Sequence, residues 1–330
     1  MSDTAEIRKQ NKCKILKIMR QGGNYTKQEL SVKTGLSTAT CNTLLNVLAD
    51  SGEVIGEKKQ LNEVGRNTIV YHINDNYESI LCICFELLSE IRRIFTRIIS
   101  PSGKLLYDNT EIVEKIECSN IVQSAEKAIE QFKNITQIII GTPSISQHGC
   151  IKHCDIPELE GANLVEVLKS TFQLPVSMEN DMHLKAYGYY KLNGLNKNII
   201  TLMNFHANVL PGTATIYKGT VIKGKNCFAG MVGFLPYGMP ADQQLKLLSP
   251  ETCIPLISKA AASIIAVINP DEMVFTGNLI DTQTLNKIYN ECLESIPMEY
   301  MPKFSLVNDF EMYYTMGMYH TAIDKKEKLK

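Results

Sequence analysis

The stretch "YTKQELSVKTGLSTATCNTLLNVLADSG", Tyr25 to Gly52, decides the fold of the front of the chain, because it contains two helix starts joined by a turn. Thr26 begins a capping box with Glu29 three residues later. Thr34-Gly35-Leu36 forms a short turn, and Ser37 caps a second helix. Two short helices joined by a turn that contains glycine predict a helix-turn-helix.

The flanking segments extend this motif to a winged helix. Ile7–Met19 places apolar side chains at helical spacing with basic residues on the other side. After the motif, "EVIGEKKQLNEVGRNTIVYHIN" predicts a strand, a polar turn and a second strand, with Arg66 where the wing meets the return strand. The apolar side chains expected to face inward are Ile7, Ile15, Leu16, Ile18, Met19, Leu30, Val32, Ala39, Leu44, Leu45 and Leu48.

The outward positions of the second helix carry short hydrogen-bonding side chains, which can approach base edges and phosphates without steric obstruction. We expect Thr38, Asn42 and Asn46 to contact bases. The full set of predicted DNA-binding residues is Arg8, Asn11, Lys27, Ser37, Thr38, Thr40, Asn42, Asn46 and Arg66. The arginine of the wing suits the minor groove or a phosphate.

The charge distribution agrees with this interpretation. The whole chain of 330 residues has a formal net charge of −1, but residues 1–75 carry 11 Lys and Arg against eight Asp and Glu. Arg8 to Lys33 contains eight basic residues and one acid, Glu29. A compact basic head on a mildly acidic body is expected for a protein that binds a polyanion. A solvated helix face, or a small helical domain for protein contacts, is the alternative.

Composition excludes several other classes. The first twenty residues are too charged for a signal peptide, and no apolar run approaches the roughly 20 residues that span a bilayer. The ten cysteines do not form evenly spaced pairs, so we expect a reduced, cytoplasmic protein. The terminal "DKKEKLK" is typical of a solvated tail.

The head resembles the N-terminal winged helix of the ROK family, named for its repressors, open reading frames and kinases. Arg8 and Asn11 match the family's opening Arg-x-x-Asn, and Thr38 stands where many members have arginine or proline. The resemblance implies a DNA-binding regulator.

Residues 76–330 alternate strand and helix patterns twice, which predicts a two-lobed α/β body with a cleft between the lobes. This layout resembles the ROK sugar kinase-like body of the actin-like ATPase class. We expect a head at 1–75, a first lobe at 76–191 and a second lobe at 192–311 that also supplies oligomerisation. A C-terminal helix, 312–330, should pack back on the first lobe.

Three segments of the body are similar to ROK motifs. "IIIGTPSISQHGCI" is similar to the Gly-x-Pro-Gly segment, with Ser144 in place of the second glycine, and "NPDEMVFTGNLI" to the segment on the adenosine side. "VSMENDMHLKAYGYY" is similar to the segment that holds the catalytic aspartate. The resemblance implies Asp181 as the equivalent acid and Asn180 as a ligand of sugar hydroxyls, and we place Glu179 in the same ligand-binding group.

Departures from the family pattern argue against catalysis, because kinases hold ATP phosphates against bare backbone. The phosphate loop falls on Cys84–Leu88, where Glu86 brings a carboxylate, and only Gly212 remains of the glycines in the second loop. Met231 and Phe234 stand where the family has a sugar-binding glutamate and a zinc-binding histidine. We therefore expect no enzyme activity, no cofactor and no metal, with Asp181 as the relic of a kinase base.

The segment "HGCIKHC" leaves one alternative open. His148, Cys150, His153 and Cys154 are soft ligands that could form a replacement metal site. Alternation of side chains along a hairpin would instead separate them onto two faces.

The prediction as a whole is a DNA-binding transcriptional regulator, in particular a repressor, that binds double-stranded DNA as a homodimer or homotetramer. A sugar or another small metabolite in the cleft would be its effector. The alternatives are a sugar kinase or sugar-binding protein, and a constitutive DNA-binding dimer without an effector.

Overall fold

The computed structural model describes residues 2–59, 68–88, 90–147, 149–154 and 156–329. The helices are α1 (Ser2–Met19), α2 (Lys27–Thr34), α3 (Thr38–Asp50), α4 (Cys118–Gln131), α5 (Leu164–Phe172), α6 (Asp181–Asn193), α7 (Ala241–Leu247), α8 (Ile254–Ile268), α9 (Thr282–Leu293) and α10 (Glu311–Leu329). Short 3-10 helices cover Pro157–Leu159, Lys225–Cys227, Val232–Phe234 and Met298–Tyr300.

The strands are β1 (Tyr25–Thr26), β2 (Val54–Lys59), β3 (Thr68–Ile73), β4 (Ser79–Leu88), β5 (Ile91–Ile99), β6 (Leu105–Val113), β7 (Ile135–Thr142), β8 (Ser144–Gln147), β9 (Cys150–Cys154), β10 (Val176–Asn180), β11 (Ile199–Asn204), β12 (Gly212–Tyr217), β13 (Thr220–Val221), β14 (Glu272–Thr276) and β15 (Lys303–Leu306). A helical head followed by two mixed α/β units confirms the predicted fold class.

The head is a helix-turn-helix packed on a three-stranded sheet of order β1-β3-β2. Ile15, Leu30, Leu45 and Leu48 are fully buried and hold the three helices together. β2 and β3 pair antiparallel as the strands of the wing. Arg66, predicted at the tip of this wing, lies outside the described residues.

Three of the predicted inward positions are wrong. Ile7 is 49% exposed, Val32 is 84% exposed, and Ala39 also points to solvent. Cys41 takes the inward position on α3, fully buried. A free cysteine behaves as a small apolar group, so it can replace a conventional hydrophobe in a core.

The first lobe is a five-stranded sheet of order β10-β7-β4-β5-β6. Strands β10, β7 and β4 are parallel to one another. β5 pairs antiparallel with β4, and β6 pairs antiparallel with β5. One face packs on α4 and α5 through side chains such as Ile121 and Leu164. The other face packs on α6 and α10 through Leu184 and Tyr319. The first lobe therefore takes one of its two covering layers from the last helix of the chain.

The second lobe is a five-stranded sheet of order β13-β12-β11-β14-β15. α8 and α9 cover one face, with Ile257 and Ile288 fully buried against it. α6 covers the other face through Met182 and Ala186. Because α6 also contacts the first sheet through Leu184, it lies between the two lobes and belongs to both cores.

Two glycines allow α6 and α10 to cross at very short range. A Cβ atom on Gly188 would lie 1.8 Å from the backbone oxygen of Tyr313. A Cβ atom on Gly317 would lie 1.9 Å from the backbone oxygen of Leu184. Only residues without side chains permit this approach.

The end of α10 differs from the solvated tail that was predicted. Arg20 of the head donates a hydrogen bond of 2.6 Å to Glu327, and Lys326 is paired with Glu78 at the start of the first lobe. Within the described part of the chain, no helix is long and apolar enough to cross a membrane.

Candidate nucleic-acid interface and interlobe cleft

The start of α3 is organised by its cap. Ser37 Oγ accepts a hydrogen bond of 3.1 Å from the backbone N–H of Thr40, and its oxygen lies 2.8 Å from the Thr40 hydroxyl. Thr38, Thr43 and Asn46 are exposed along one face of the helix. The cap therefore fixes the direction in which a row of short polar side chains meets solvent.

The start of α2 is fixed in the same way and is tied to α3. Thr26 and Glu29 form a reciprocal capping box, whose hydrogen bonds lower the pKa of Glu29. Lys27 Nζ donates to Asn42 Oδ1 over 3.2 Å. This bond places a cation beside the exposed face of α3 and leaves the Asn42 amide N–H groups available.

The predicted residues on α1 do not join this group. Arg8 is exposed and Asn11 is half-buried. Among the described residues, no hydrogen bond or ion pair links either of them to α2 or α3. The structure thus brings together Lys27, Ser37, Thr38, Thr40, Asn42 and Asn46 and leaves Arg8 and Asn11 on another helix.

A second candidate site is the cleft between the two lobes, a cavity of about 580 Å³. Its walls include Asp181 from the start of α6 and the end of β4. Asp181 Oδ2 accepts a hydrogen bond of 2.7 Å from Lys185 Nζ. Burial alone would lower the pKa of Lys185, but the charge and hydrogen bond of Asp181 raise it.

The cleft carries more negative than positive side chains. Glu86 lines it, with its carboxylate 2.9 Å from the Arg93 guanidinium. Asp309 and Glu311 also line the cleft, and Glu311 is paired with Arg97, which also bonds Asp108 and Thr315, each at 2.9 Å. An anion as charged as a nucleoside triphosphate would meet repulsion here.

The strand ends that border the cleft bond to each other rather than presenting free backbone. Asn278 Oδ1 accepts from the Ala207 N–H at 2.8 Å, and the Asn278 N–H donates to His206 Nδ1 at 3.3 Å. A Cβ atom on Gly277, whose φ is +110°, would lie 1.9 Å from the Phe205 oxygen. Gly277 therefore allows the backbone after β14 to pack closely against Phe205.

The three predicted ligand-binding residues diverge. Only Asp181 lines the interlobe cleft. Asn180 caps α6, since its Oδ1 accepts from the His183 N–H and its Nδ2 donates to the Ser144 oxygen. Glu179 points to the opposite side, where Lys223 lies 2.5 Å away and the His183 ring 3.4 Å away. Burial would raise the pKa of Glu179, but these partners lower it to about 2.

The segment that departs from the family's sugar and zinc motif forms an apolar groove. Phe234 is 72% exposed and packs against Phe228 with ring centroids 5.2 Å apart. Met231 lines the same groove, whose volume is about 300 Å³. Thioether and phenyl groups provide neither the hydrogen bonds nor the ligands of the motif they replace.

The Cys and His cluster lies on a hairpin of β8 and β9. Cys150 Sγ donates to the Gly161 oxygen at 3.3 Å, and Cys154 Sγ accepts from the Ile156 N–H at 3.4 Å. Within the residues that the structure describes, no group of three His, Cys, Asp or Glu side chains could hold a metal. His148 lies outside those residues.

Two known protein families match parts of this chain. Residues 8–53 match a family described as winged helix-turn-helix DNA-binding, and residues 104–254 match the ROK family. Both matches fall on the head and body that carry the features above.

Curated relatives of this chain include two xylose repressors. The one from Staphylococcus xylosus is 26% identical over 236 residues, which cover 68% of this chain and 60% of the relative. The one from Lactiplantibacillus pentosus is 24% identical over 274 residues, covering 79% and 66%. The match thus spans less than two thirds of the length of either relative.

Solved structures support the same fold. A ROK family transcriptional regulator, described as a homologue of the E. coli MLC protein, covers 98% of both chains with a TM-score of 0.69 and 16% identity. A putative N-acetylmannosamine kinase from Listeria monocytogenes covers 74% of this chain and 99% of its own, with a TM-score of 0.60 and 13% identity.

Several residues that shape the interlobe cleft were not predicted from the sequence. Lys185 could have been found, because its spacing of four from Asp181 on a helix brings the two side chains together. Arg97 and Glu311 are separated by 214 positions, and no local pattern joins them. Tyr314, whose buried hydroxyl has no hydrogen-bond partner in the described structure, gave no signal either.

Proposed function

We propose that this ROK protein is a DNA-binding transcriptional repressor and not an enzyme. The observation that carries the proposal is the exposed polar face of α3, held by the Ser37 cap and flanked by Lys27. A helix presented in this way fits the major groove, where short polar side chains reach base edges. The relatives named as xylose repressors support this sign of regulation.

Each predicted residue has a role in this proposal. Thr38, Asn42 and Asn46 contact bases, while Lys27, Ser37 and Thr40 hold phosphates beside the helix starts. Arg8, Asn11 and Arg66 complete the backbone and minor-groove contacts. Paired half-sites require at least a homodimer, which the second lobe would supply, and the protein would act in the cytoplasm.

The interlobe cleft would take a neutral effector, in particular a sugar. Carboxylates and amides bind hydroxyl groups well, whereas the negative walls disfavour phosphates. Asp181 is positioned to contact such a ligand. Asn180 already uses both ends of its amide, so a direct contact from it would require one of those bonds to break. Binding that favours one arrangement of the lobes would change DNA affinity.

Salt-dependent binding to DNA from upstream of the protein's own gene tests the first part. The wild type should bind a specific duplex more tightly than a scrambled duplex of equal length, with affinity that falls as salt rises. Asn42→Ala combined with Asn46→Ala should remove the preference for the specific duplex. Equal binding to both duplexes by the wild type would contradict the proposal.

A melting-temperature screen tests the effector. Xylose is the first probe because of the names of the relatives, followed by glucose and ATP. A ligand that binds the folded form raises its melting temperature. We expect a shift with a neutral sugar, none with ATP, and loss of the shift in Asp181→Ala.

A sugar kinase is the second candidate. Two observations favour a kinase. Asp181 lines the cleft, and the chain shares its fold with a ROK hexokinase from Thermus thermophilus at a TM-score of 0.57 and 14% identity. The acidic walls and the Asp181–Lys185 pair oppose it. Sugar-dependent release of ADP, absent in Asp181→Asn, would establish the kinase and overturn the proposal.

A further inference from the structure

A second and larger cavity lies between the head and the body. Its volume is about 860 Å³, against about 580 Å³ for the interlobe cleft. One wall is α1, and the opposite walls come from the first turns of α6, the segment Gly219–Lys223 and the last turns of α10. The cavity therefore touches the head, both lobes and the C-terminal helix.

Basic side chains reach this cavity from three elements. Lys9, Lys14 and Lys17 come from α1, Lys223 from the second lobe and Lys325 from α10. The three lysines of α1 have no ion-pair partner among the described residues. They lie on the side of α1 that faces the body, so they are not part of the polar face of α3.

The acidic groups in the same walls are already engaged. Glu179 is bonded to Lys223 and His183, and Glu327 to Arg20. Asp324 accepts the hydroxyl of Tyr187. Glu6 Oε1 is bonded to Gln10 at 3.5 Å. These carboxylates thus bond to groups other than the lysines of α1, and like charges around one cavity repel unless an anion joins them.

We propose that this head–body cavity binds a small anion that carries a carboxylate or a phosphate. Lys14 and Lys17 would hold the anionic oxygens, and Lys9 would approach from the same helix. Thr220 and Thr321 also line the cavity, and threonine hydroxyls are neutral hydrogen-bonding groups. The volume of about 860 Å³ lies in the range of small-molecule sites.

The contacts at the end of α10 indicate how an anion bound in this cavity would affect the position of the head. Three consecutive residues make three different contacts: Lys325 lies 3.9 Å from Glu179 at the floor of the cavity, Lys326 pairs with Glu78, and Glu327 with Arg20. An anion bridging α1 to the body would favour the head position held by these pairs. Binding itself does not depend on the proposed regulatory function.

Calorimetric titration of the full chain with inorganic phosphate, and separately with citrate, tests the proposal. Ionic strength is kept constant with chloride. We expect saturable binding of at least one anion to the wild type. Lys14→Ala combined with Lys17→Ala should weaken it about tenfold or more. Lys246→Ala with Lys259→Ala, two exposed lysines of the second lobe, is the matched control and should bind as the wild type does.

Two results would overturn the proposal. One is no saturable binding of either anion at constant ionic strength. The other is that the wild type and the Lys14/Lys17 variant bind the anion equally while the variant loses DNA affinity. That result would assign these lysines to DNA binding. Melting curves establish that each variant is folded. Anion binding without any DNA binding would leave this inference standing and overturn the proposed function instead.

Discussion

Lys185 donates a hydrogen bond of 2.7 Å to Asp181, one turn earlier on the helix that both lobes share. The Lys185 ammonium also lies 5.1 Å from the centroid of the Tyr314 ring. The aspartate predicted to be the relic of a kinase base is therefore paired with a cation from its own helix. The Asp181–Lys185 pair and the Glu86 carboxylate are charged groups in the lining of the cleft.

Breaking this pair should destabilise the fold. The two side chains are only 18% and 15% exposed, so Lys185→Met would leave a largely buried carboxylate without its cation. We expect a loss of about 1–3 kcal/mol in the free energy of unfolding, measured with urea. Adding Asp181→Asn should recover most of that loss, whereas Lys246→Met, at an exposed position, should have no effect. Equal stability of the single and double variants would contradict this account.

Glu179 should make stability dependent on pH in the acid range. Its pKa is lowered to about 2 from an ordinary 4.5, so its contribution is full above the unfolded pKa and is lost as pH falls from about 5 towards 2. Glu179→Gln should cost roughly 3 kcal/mol at neutral pH, and the difference from wild type should shrink over that window. Glu130→Gln, on an exposed face of α4, should show no such dependence. A difference that stays constant down to pH 2 would assign the effect to packing.

The cap of α3 can be separated from its contact with DNA. Ser37→Ala should lower stability by about 1 kcal/mol, because the Thr40 N–H loses its acceptor. Ser37→Asp should keep the cap and the stability but weaken DNA binding, since it adds a negative charge facing phosphates. Chemical unfolding and DNA titration on the same preparations test both effects. Full DNA affinity in Ser37→Asp would place this residue outside the interface.

Lys27 and Asn42 should affect DNA binding in different ways. Lys27→Ala should weaken binding to all duplexes and reduce the salt slope by about one. Asn42→Ala should reduce discrimination at one base position by about 1–3 kcal/mol. Titrations at several salt concentrations and with duplexes mutated at single positions measure the two effects. Lys246→Ala, in the second lobe, is the charge-matched control.

The helix crossing should be intolerant of any side chain. Gly188→Ala and Gly317→Ala each force a methyl group into backbone of the other helix, so each should cost about 3 kcal/mol or more. Gly233→Ala, where the nearest atom would be 3.8 Å away, should be nearly neutral. Thermal and urea unfolding would measure this, and a stable Gly188→Ala variant would mean that the helices can move apart without penalty.

Local signals predicted the head well. Capping residues act over three positions, so Thr26 and Ser37 marked the starts of α2 and α3. The two-lobed body followed from alternating patterns, which are also local. Ala39 was misplaced because a small residue fits either face of a helix, and Cys41 was not included among the inward positions of α3.

Features that depend on distant parts of the chain were not predictable. Glu179, Asn180 and Asp181 are consecutive, and the strand-to-helix transition between them sends their side chains to three different places. The hydrogen bonds of Arg97 to α10 and of Glu327 to Arg20 join positions more than 200 residues apart. Charge composition described α1 as basic but could not say which of its lysines face the body.

The packing of α10 on the first sheet has a consequence for synthesis. During translation the head can complete its core early, whereas the first lobe keeps one apolar sheet face uncovered until Tyr319 and its neighbours leave the ribosome. During that interval the nascent protein already has α3 but lacks α10, whose Glu327 pairs with Arg20 of the head. Premature termination before α10 would therefore release a molecule with a formed head and an aggregation-prone body.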